Sequence, residues 1–89
     1  MEIEIPNATK ALVKLDARGN LCELTTRGFR ILFSYGVPVA GESRAFGIMY
    51  RTNCEHLTRS MKRHITRWLE GREAKLLDQN ILESALGLI

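Results

Sequence analysis

The sequence predicts an α+β domain in which an antiparallel sheet of about four strands packs against one or two C-terminal helices. Two patterns support this fold class: residues 11–51 are rich in β-formers, whereas the apolar spacing from residue 58 onward is three and four. A chain of 89 residues suits one hydrophobic core, since domains usually hold about 100–150 residues. We therefore expect a single domain over 1–89, strand-rich over 1–51 and helical over 58–86.

A β-hairpin is predicted at the start of the strand-rich part. Residues 11–15 form one extended segment, and residues 21–25 resume the extended pattern. The residues between them, 16–20, include Asp, Gly and Asn, which favour turns. Two neighbouring antiparallel strands follow from this order.

The run 29–35 is the best candidate for a central strand, because it is dense in β-formers and its alternate positions place three aromatics and one Ile on one face. Gly36 and Pro38 interrupt the run. Residues 37–40 are then either its bulged continuation or an edge strand. After a turn at residues 41–43, residues 45–51 complete a four-stranded meander.

An amphipathic helix is predicted to begin near residue 58. Thr58 or Ser60 can cap its N-terminus, and Gly71 suits the left-handed conformation that often ends a helix. Its apolar residues fall within about a third of the helical wheel. The sheet and this helix are expected to share a core made of Phe29, Ile31, Phe33, Ile48, Met61, Ile65 and Trp68.

A second helix, over residues 72–86, is predicted from good helix formers and from apolar pairs at a spacing of four. Its apolar residues form two stripes, so packing one stripe on the sheet leaves the other toward solvent. A small domain often completes its core by association. We therefore expect a homodimer whose interface contains Leu82, Leu86 and Ile89.

The charge balance limits the classes of partner. Thirteen Lys and Arg against ten Asp and Glu give a net charge of +3, which favours anionic partners but is weaker than in dedicated nucleic-acid binders. No apolar run approaches the roughly 18–20 residues that cross a bilayer, and the first residues carry acids where a signal peptide has basic residues. We expect a cytoplasmic protein with no membrane association.

Thiol and imidazole groups are the main candidates for chemistry. Cys22, Cys54, His56 and His64 have suitable atoms for zinc, but their spacing lacks the usual paired ligands. The cysteines are expected to be free thiols, and His64 to bond to a backbone carbonyl of the sheet. Ser34 lacks the Gly-x-Ser-x-Gly context of a nucleophile elbow. We predict no cofactor, no metal site and no catalytic residues.

The predicted first helix carries a basic face opposite its apolar side. Three of the arginines are spaced by four, so their guanidinium groups project from one side and can bind phosphates or an acidic protein surface. The alternative is a solvated face partly neutralised by Glu70 and Glu73. Proteins that bind single-stranded nucleic acid require aromatic residues for base stacking. No aromatic residue is interleaved among these cations. The predicted partner-binding or phosphate-binding residues are Arg59, Lys62, Arg63 and Arg67.

Two motifs carry a resemblance to a known family. Residues 34–40 have the pattern Ser-Tyr-x-x-Pro-Val-Ala, and residues 64–69 have the pattern His-Ile-x-x-Trp-Leu. Over roughly residues 21–70 the chain resembles an uncharacterised family of small phage and prophage proteins. Ser60 and Met61 stand where that family prefers two threonines. The resemblance implies a phage context and a strand-rich half followed by a helix, with no functional residue carried over.

These observations favour a binding protein over an enzyme, because binding needs only a surface whereas catalysis needs a built site. We expect a non-catalytic accessory protein of phage type that binds a host or defence protein in the host cytoplasm. An inhibitor of the anti-CRISPR kind is one such protein. The first alternative is a nucleic-acid-binding module that uses the basic face. The second is a small zinc protein or enzyme built around Cys54 and His56.

Overall fold

Six strands and two helices make up the described part of the chain, residues 10–26 and 28–87 of this computed structural model. The α+β class predicted from the sequence is confirmed. In chain order the elements are β1 (Lys10–Lys14), β2 (Leu21–Thr26), β3 (Phe29–Ser34), β4 (Val37–Ser43), β5 (Ile48–Thr52), α1 (Arg59–Leu69), β6 (Lys75–Leu77) and α2 (Gln79–Gly87).

The strands form one sheet in the order β1-β2-β3-β4-β5-β6. The first five strands are an antiparallel meander, because short turns join them. The turn between β3 and β4 is Tyr35 and Gly36, at φ values of 54° and 79°, and such left-handed pairs match the twist of a hairpin. The last strand, β6, runs parallel to β5, since α1 carries the chain back across the sheet.

The sheet is larger than the four strands expected. Residues 37–43 form neither an edge strand nor an extension of β3, but a central strand paired with β3 and β5. A shift in register between Leu32 and Phe33 marks a bulge at the β3–β4 pairing. The expected turn at 41–43 lies inside β4, and the chain turns at residues 44–47 instead.

The second predicted helix, 72–86, is only partly correct. Lys75–Leu77 pairs with β5 as the third and shortest element of a β-α-β unit, and the helix begins only at Gln79. Asp78 explains this start, because its Oδ1 accepts a hydrogen bond from the backbone N–H of Asn80 at 2.7 Å. The backbone bonds of residues 75–77 therefore go to a strand rather than to a helix.

The two helices lie on opposite faces of the sheet. Ala40 packs in the main core with Ile65 of α1, whereas an added Cβ at Gly41, the next residue, would meet Leu82 of α2 at 3.8 Å. Successive strand residues point to opposite faces, so each helix covers its own side. The core beneath α1 consists of Leu21, Leu32, Val39, Ala40, Met49, Ile65 and Leu69.

This layering changes which predicted core residues are buried. Ile65 is buried in the core beneath α1 as expected. Ile31 is also buried, but on the opposite face beside Leu82 of α2, and Phe29 on that same face is 38% exposed. The strand face beneath α1 is instead that of Leu32 and Ser34. The remaining predicted core residues, Phe33, Ile48, Met61 and Trp68, are half-buried.

One residue of the expected dimer interface is corrected. Leu82 is only 3% exposed and packs over Gly41 within its own chain, so it offers almost no free surface to a second copy. The side chain of Leu86 and all of Ile89 lie outside the described residues.

Candidate functional site

Helix α1 is well terminated by local hydrogen bonds. The backbone N–H of Met61 donates to Thr58 Oγ1 at 3.1 Å, so Thr58 is the N-cap. At the other end Glu70 has φ 51° and Gly71 has φ 81°, and both residues are left-handed. The cap predicted at Thr58 is therefore confirmed, and the left-handed end begins one residue before Gly71.

The outward side of α1 is the basic face that the sequence predicts. Ile65 and Leu69 are buried against the sheet, and the opposite side of the helix is open to solvent. We use the name basic face for the four exposed cations Arg59, Lys62, Arg63 and Arg67.

The acids beside the helix are already paired with other cations. Arg30 Nε donates to Glu42 Oε1 at 2.6 Å, and Arg30 Nη1 lies 3.4 Å from Glu23 Oε2. Arg72 Nη2 reaches the second oxygen of Glu42 at 3.4 Å. Within residues 10–26 and 28–87, no cation of the basic face forms an ion pair, and neither Glu70 nor Glu73 neutralises one.

A polar contact with the sheet defines how α1 is rotated about its axis. Trp68 Nε1 donates to Glu23 Oε2 at 2.6 Å, and the Arg30 guanidinium lies 5.5 Å from the centroid of the Trp68 ring. A charge-assisted hydrogen bond and a cation–π contact each favour one ring position. The basic face therefore points away from the sheet in a single orientation.

The electrostatics of Glu42 follow from the same cluster. Its side chain is 13% exposed, and this burial raises the pKa of the carboxyl group. The hydrogen bond and charge of Arg30, with a further contribution from Arg72, outweigh the burial, so the pKa of Glu42 lies below its ordinary value. Glu42 is therefore ionised at neutral pH and unavailable as a general acid.

A second polar contact joins the helix to the last residue of β3. Ser34 Oγ and His64 Nδ1 are 2.7 Å apart, and Ser34 is fully buried. His64 thus bonds to a side chain of the sheet rather than to the backbone carbonyl expected. A buried hydroxyl cannot reach a substrate, so this Ser-His pair is a structural contact and not a nucleophile with its base.

Tyr35 places an aromatic ring against α1, at His64. Its ring centroid lies 5.7 Å from that of His64, and half of the residue is exposed. Its positive φ is uncommon for a residue with a side chain, and such strain tends to occur at functional sites. No aromatic residue is interleaved among the cations along α1 itself, but the tertiary structure brings Tyr35 to the helix from the turn between β3 and β4.

A groove continues from the basic face toward the sheet. It has a volume of about 510 Å³, and His64, Arg67 and Trp68 line it from the helix. Glu23 and Arg30 line it from the sheet. Arg67 belongs to both features, so the groove and the basic face adjoin at this residue.

The cysteines are separate from this surface. Cys22 and Cys54 are free and half-buried, and Cys22 Sγ donates only a weak bond to the Gly19 carbonyl at 3.4 Å. Cys54 and His56 lie in the loop before α1, where His56 is exposed. Among the side chains that the structure describes, no three His, Cys, Asp or Glu residues are grouped closely enough to hold a metal ion.

Sequence reasoning found the cations but missed the groups that orient them. Glu23, Arg30 and Ser34 belong to the sheet, and Tyr35 belongs to the turn after β3. The hydrogen bonds of Ser34 and Glu23 to α1 join residues 30 and 45 positions apart. The Trp68 ring was expected only in the core. Its indole N–H was the available signal, since a half-buried Trp usually finds an acceptor.

No helix in the described ranges has the length and apolar character needed to span a membrane. Comparison with known proteins found no match to this chain among family models, curated proteins or solved structures.

Proposed function

We propose that the protein is a non-catalytic accessory protein of phage type that binds a host or defence protein through its basic face. In this proposal it acts in the host cytoplasm as a homodimer, and it inhibits its partner in the manner of an anti-CRISPR protein. The phage context comes from the resemblance carried by residues 34–40 and 64–69.

One observation carries the binding role: all four cations of the basic face are exposed and lack an ion-pair partner within the described residues. Arg30 and Arg72, by contrast, are paired with Glu23 and Glu42. Arginines in an open row can bind carboxylates bidentately. The complementary partner is therefore an acidic protein surface, whose attraction also speeds association.

Tyr35 extends this surface with an aromatic side chain. Tyr and Arg are the residues most often found at the energetic centre of protein interfaces. The contact with His64, itself bonded to the buried Ser34, limits the positions of the ring before a partner arrives. A side chain that is already ordered loses less entropy on binding.

A charge reversal tests the proposal. We expect Arg63→Glu with Arg67→Glu to weaken binding by about tenfold or more, because both attractions become repulsions. Partners are captured from a nuclease-treated lysate of the bacterial host, identified by mass spectrometry, and their affinity is then measured by calorimetry with purified proteins.

The matched control is Lys14→Glu with Lys75→Glu, which changes the net charge equally at exposed positions on β1 and β6. This control should bind like the wild type. A captured protein that binds both double variants with unchanged affinity contradicts the role of the basic face.

Nucleic acid is the second candidate partner, and the exposed Tyr35 ring beside the cations favours it. A base can stack on such a ring while neighbouring cations contact phosphates. We expect a labelled single-stranded 20-mer to show binding at about 50 mM salt and micromolar protein if this candidate is correct. Tyr35→Ala and Arg67→Glu would then both weaken it. No binding under these conditions rejects the candidate.

The remaining alternative, a zinc protein or enzyme, gains no support from the structure. Cys54 and His56 share a loop, but Cys22 lies on β2 and His64 is bonded to Ser34.

A further inference from the structure

An apolar groove lies on the face of the sheet opposite to α1. It has a volume of about 420 Å³ and is lined mainly by apolar side chains of β3, β5, β6 and α2. Its size is within the range of about 300–1,000 Å³ that holds small ligands, so a phenyl ring can enter it. The apolar lining residues are Phe29, Ile31, Phe46, Tyr50, Leu77, Ile81 and Leu82.

Phe46 forms part of the wall of this groove but is 79% exposed, so most of its ring projects into solvent. It belongs to the loop between β4 and β5, which is held by two backbone bonds. Gly47 N donates to the Ser43 carbonyl at 2.7 Å, and Arg44 N donates to the Gly28 carbonyl at 3.0 Å. Arg44 Nη1 also donates to the Thr26 carbonyl at 2.7 Å. The ring is therefore presented from a fixed loop rather than from a mobile one.

We propose that a second copy of the chain covers this groove, with Phe46 of each copy inserted into the groove of the other. A two-fold dimer uses the same patch on both copies, so the patch must contain both a projection and a recess. Phe46 and the groove meet that condition on a single face. The inference rests on the homodimer of the proposed function and not on the partner of the basic face.

The charged residues around the groove are already paired, so the groove suits an apolar surface such as that of a second copy. Within the described residues, the charged members of the lining are Arg30 and Glu42, which already bond to each other at 2.6 Å. Burial of an unpaired charge opposes association. A second copy that covers the groove buries no such charge. A strongly charged partner would find no complementary group there.

The exposed apolar area sets the strength of the interface. Phe46, Ile81 and Phe29 are 79%, 54% and 38% exposed, and together they offer roughly 300 Å² of apolar surface. With an apolar share of about 65%, the dimer buries on the order of 1,000 Å² in total, the lower bound for a specific interface. We expect a dissociation constant in the micromolar range.

Sedimentation equilibrium of the full chain tests the inference over about 1–500 µM protein, a range that brackets micromolar dissociation constants. The wild type should reach twice the protomer mass. Phe46→Ser and Ile81→Glu should each raise the dimer dissociation constant about tenfold or more, and circular dichroism confirms their fold. Leu12→Glu is the matched control, because Leu12 is 66% exposed on β1, away from the groove.

A wild-type monomer at the highest concentration overturns the inference, and so does a folded Ile81→Glu variant that dimerises like the wild type. Loss of the dimer in Leu12→Glu would place the interface elsewhere and also overturn it. Arg63→Glu with Arg67→Glu should remain dimeric. Failure of the dimer and failure of the basic-face proposal are therefore separate results.

Discussion

Replacing Glu42 by Gln isolates the energy of the cluster between the sheet and the end of α1. The carboxylate accepts a 2.6 Å bond from Arg30 and lies 3.4 Å from Arg72. Its side chain is 13% exposed, and that of Arg30 is 32% exposed. A hydrogen bond to a charged group contributes about 1.5–3 kcal/mol, and exposed ion pairs contribute less. We therefore expect a loss of about 1–2 kcal/mol at pH 7.

The loss should depend on pH in a defined direction. The pKa of Glu42 is lowered in the folded state, so its stabilisation is complete above the unfolded value of about 4.3 and disappears as the pH falls through the folded pKa. At lower pH the wild-type carboxyl is neutral, as the amide of the variant is. The difference between the two proteins should then approach zero.

Urea unfolding at several pH values measures both effects, and thermal unfolding should show about 4–8 °C per kcal/mol for a domain of this size. Glu73→Gln is the control, because Glu73 is exposed and forms no ion pair within the described part of the chain. The reasoning is refuted if Glu42→Gln costs nothing at pH 7, or if its cost is equal at pH 7 and in acid.

Two further substitutions separate packing from strain. Ile65→Ala should lower the free energy of unfolding, measured in urea, by about 2–5 kcal/mol, because Ile65 is fully buried in the core. The exposed control Thr66→Ala should lower it by less than about 1 kcal/mol. Similar losses in the two variants would contradict the packing beneath α1. Tyr35→Asn should raise the melting temperature, since Asn tolerates the left-handed conformation at φ 54° better than Tyr does. The affinity for the partner should fall. A lower melting temperature would show that the contact with His64 outweighs the backbone strain.

Local patterns in the sequence were sufficient for the elements whose bonds are local. The spacing of Met61, Ile65 and Leu69 predicts one buried side of α1, and Thr58 predicts its start. A helix is built from bonds four residues apart, so its faces follow from the spacing of apolar and polar residues along the chain. The basic face could be predicted for the same reason, because it is the side of α1 that the apolar spacing leaves free.

The second helix shows where local patterns stop. Lys75, Leu76 and Leu77 are all good helix formers, yet they pair with Tyr50, Arg51 and Thr52. Strand pairing satisfies backbone groups through residues distant in the chain, and composition cannot indicate that choice.

By itself, the sequence determined the α+β class, the position of α1 and the cations on its outer side, because each depends on neighbours within a few positions. Only the tertiary structure decided that both faces of β3 are covered, that Leu82 packs over Gly41, and that Tyr35 lies against His64. The alternation of a strand marks two faces without saying what covers either. Contacts such as that of Trp68 with Glu23 join residues 45 positions apart, and they exist only once the sheet has placed them together.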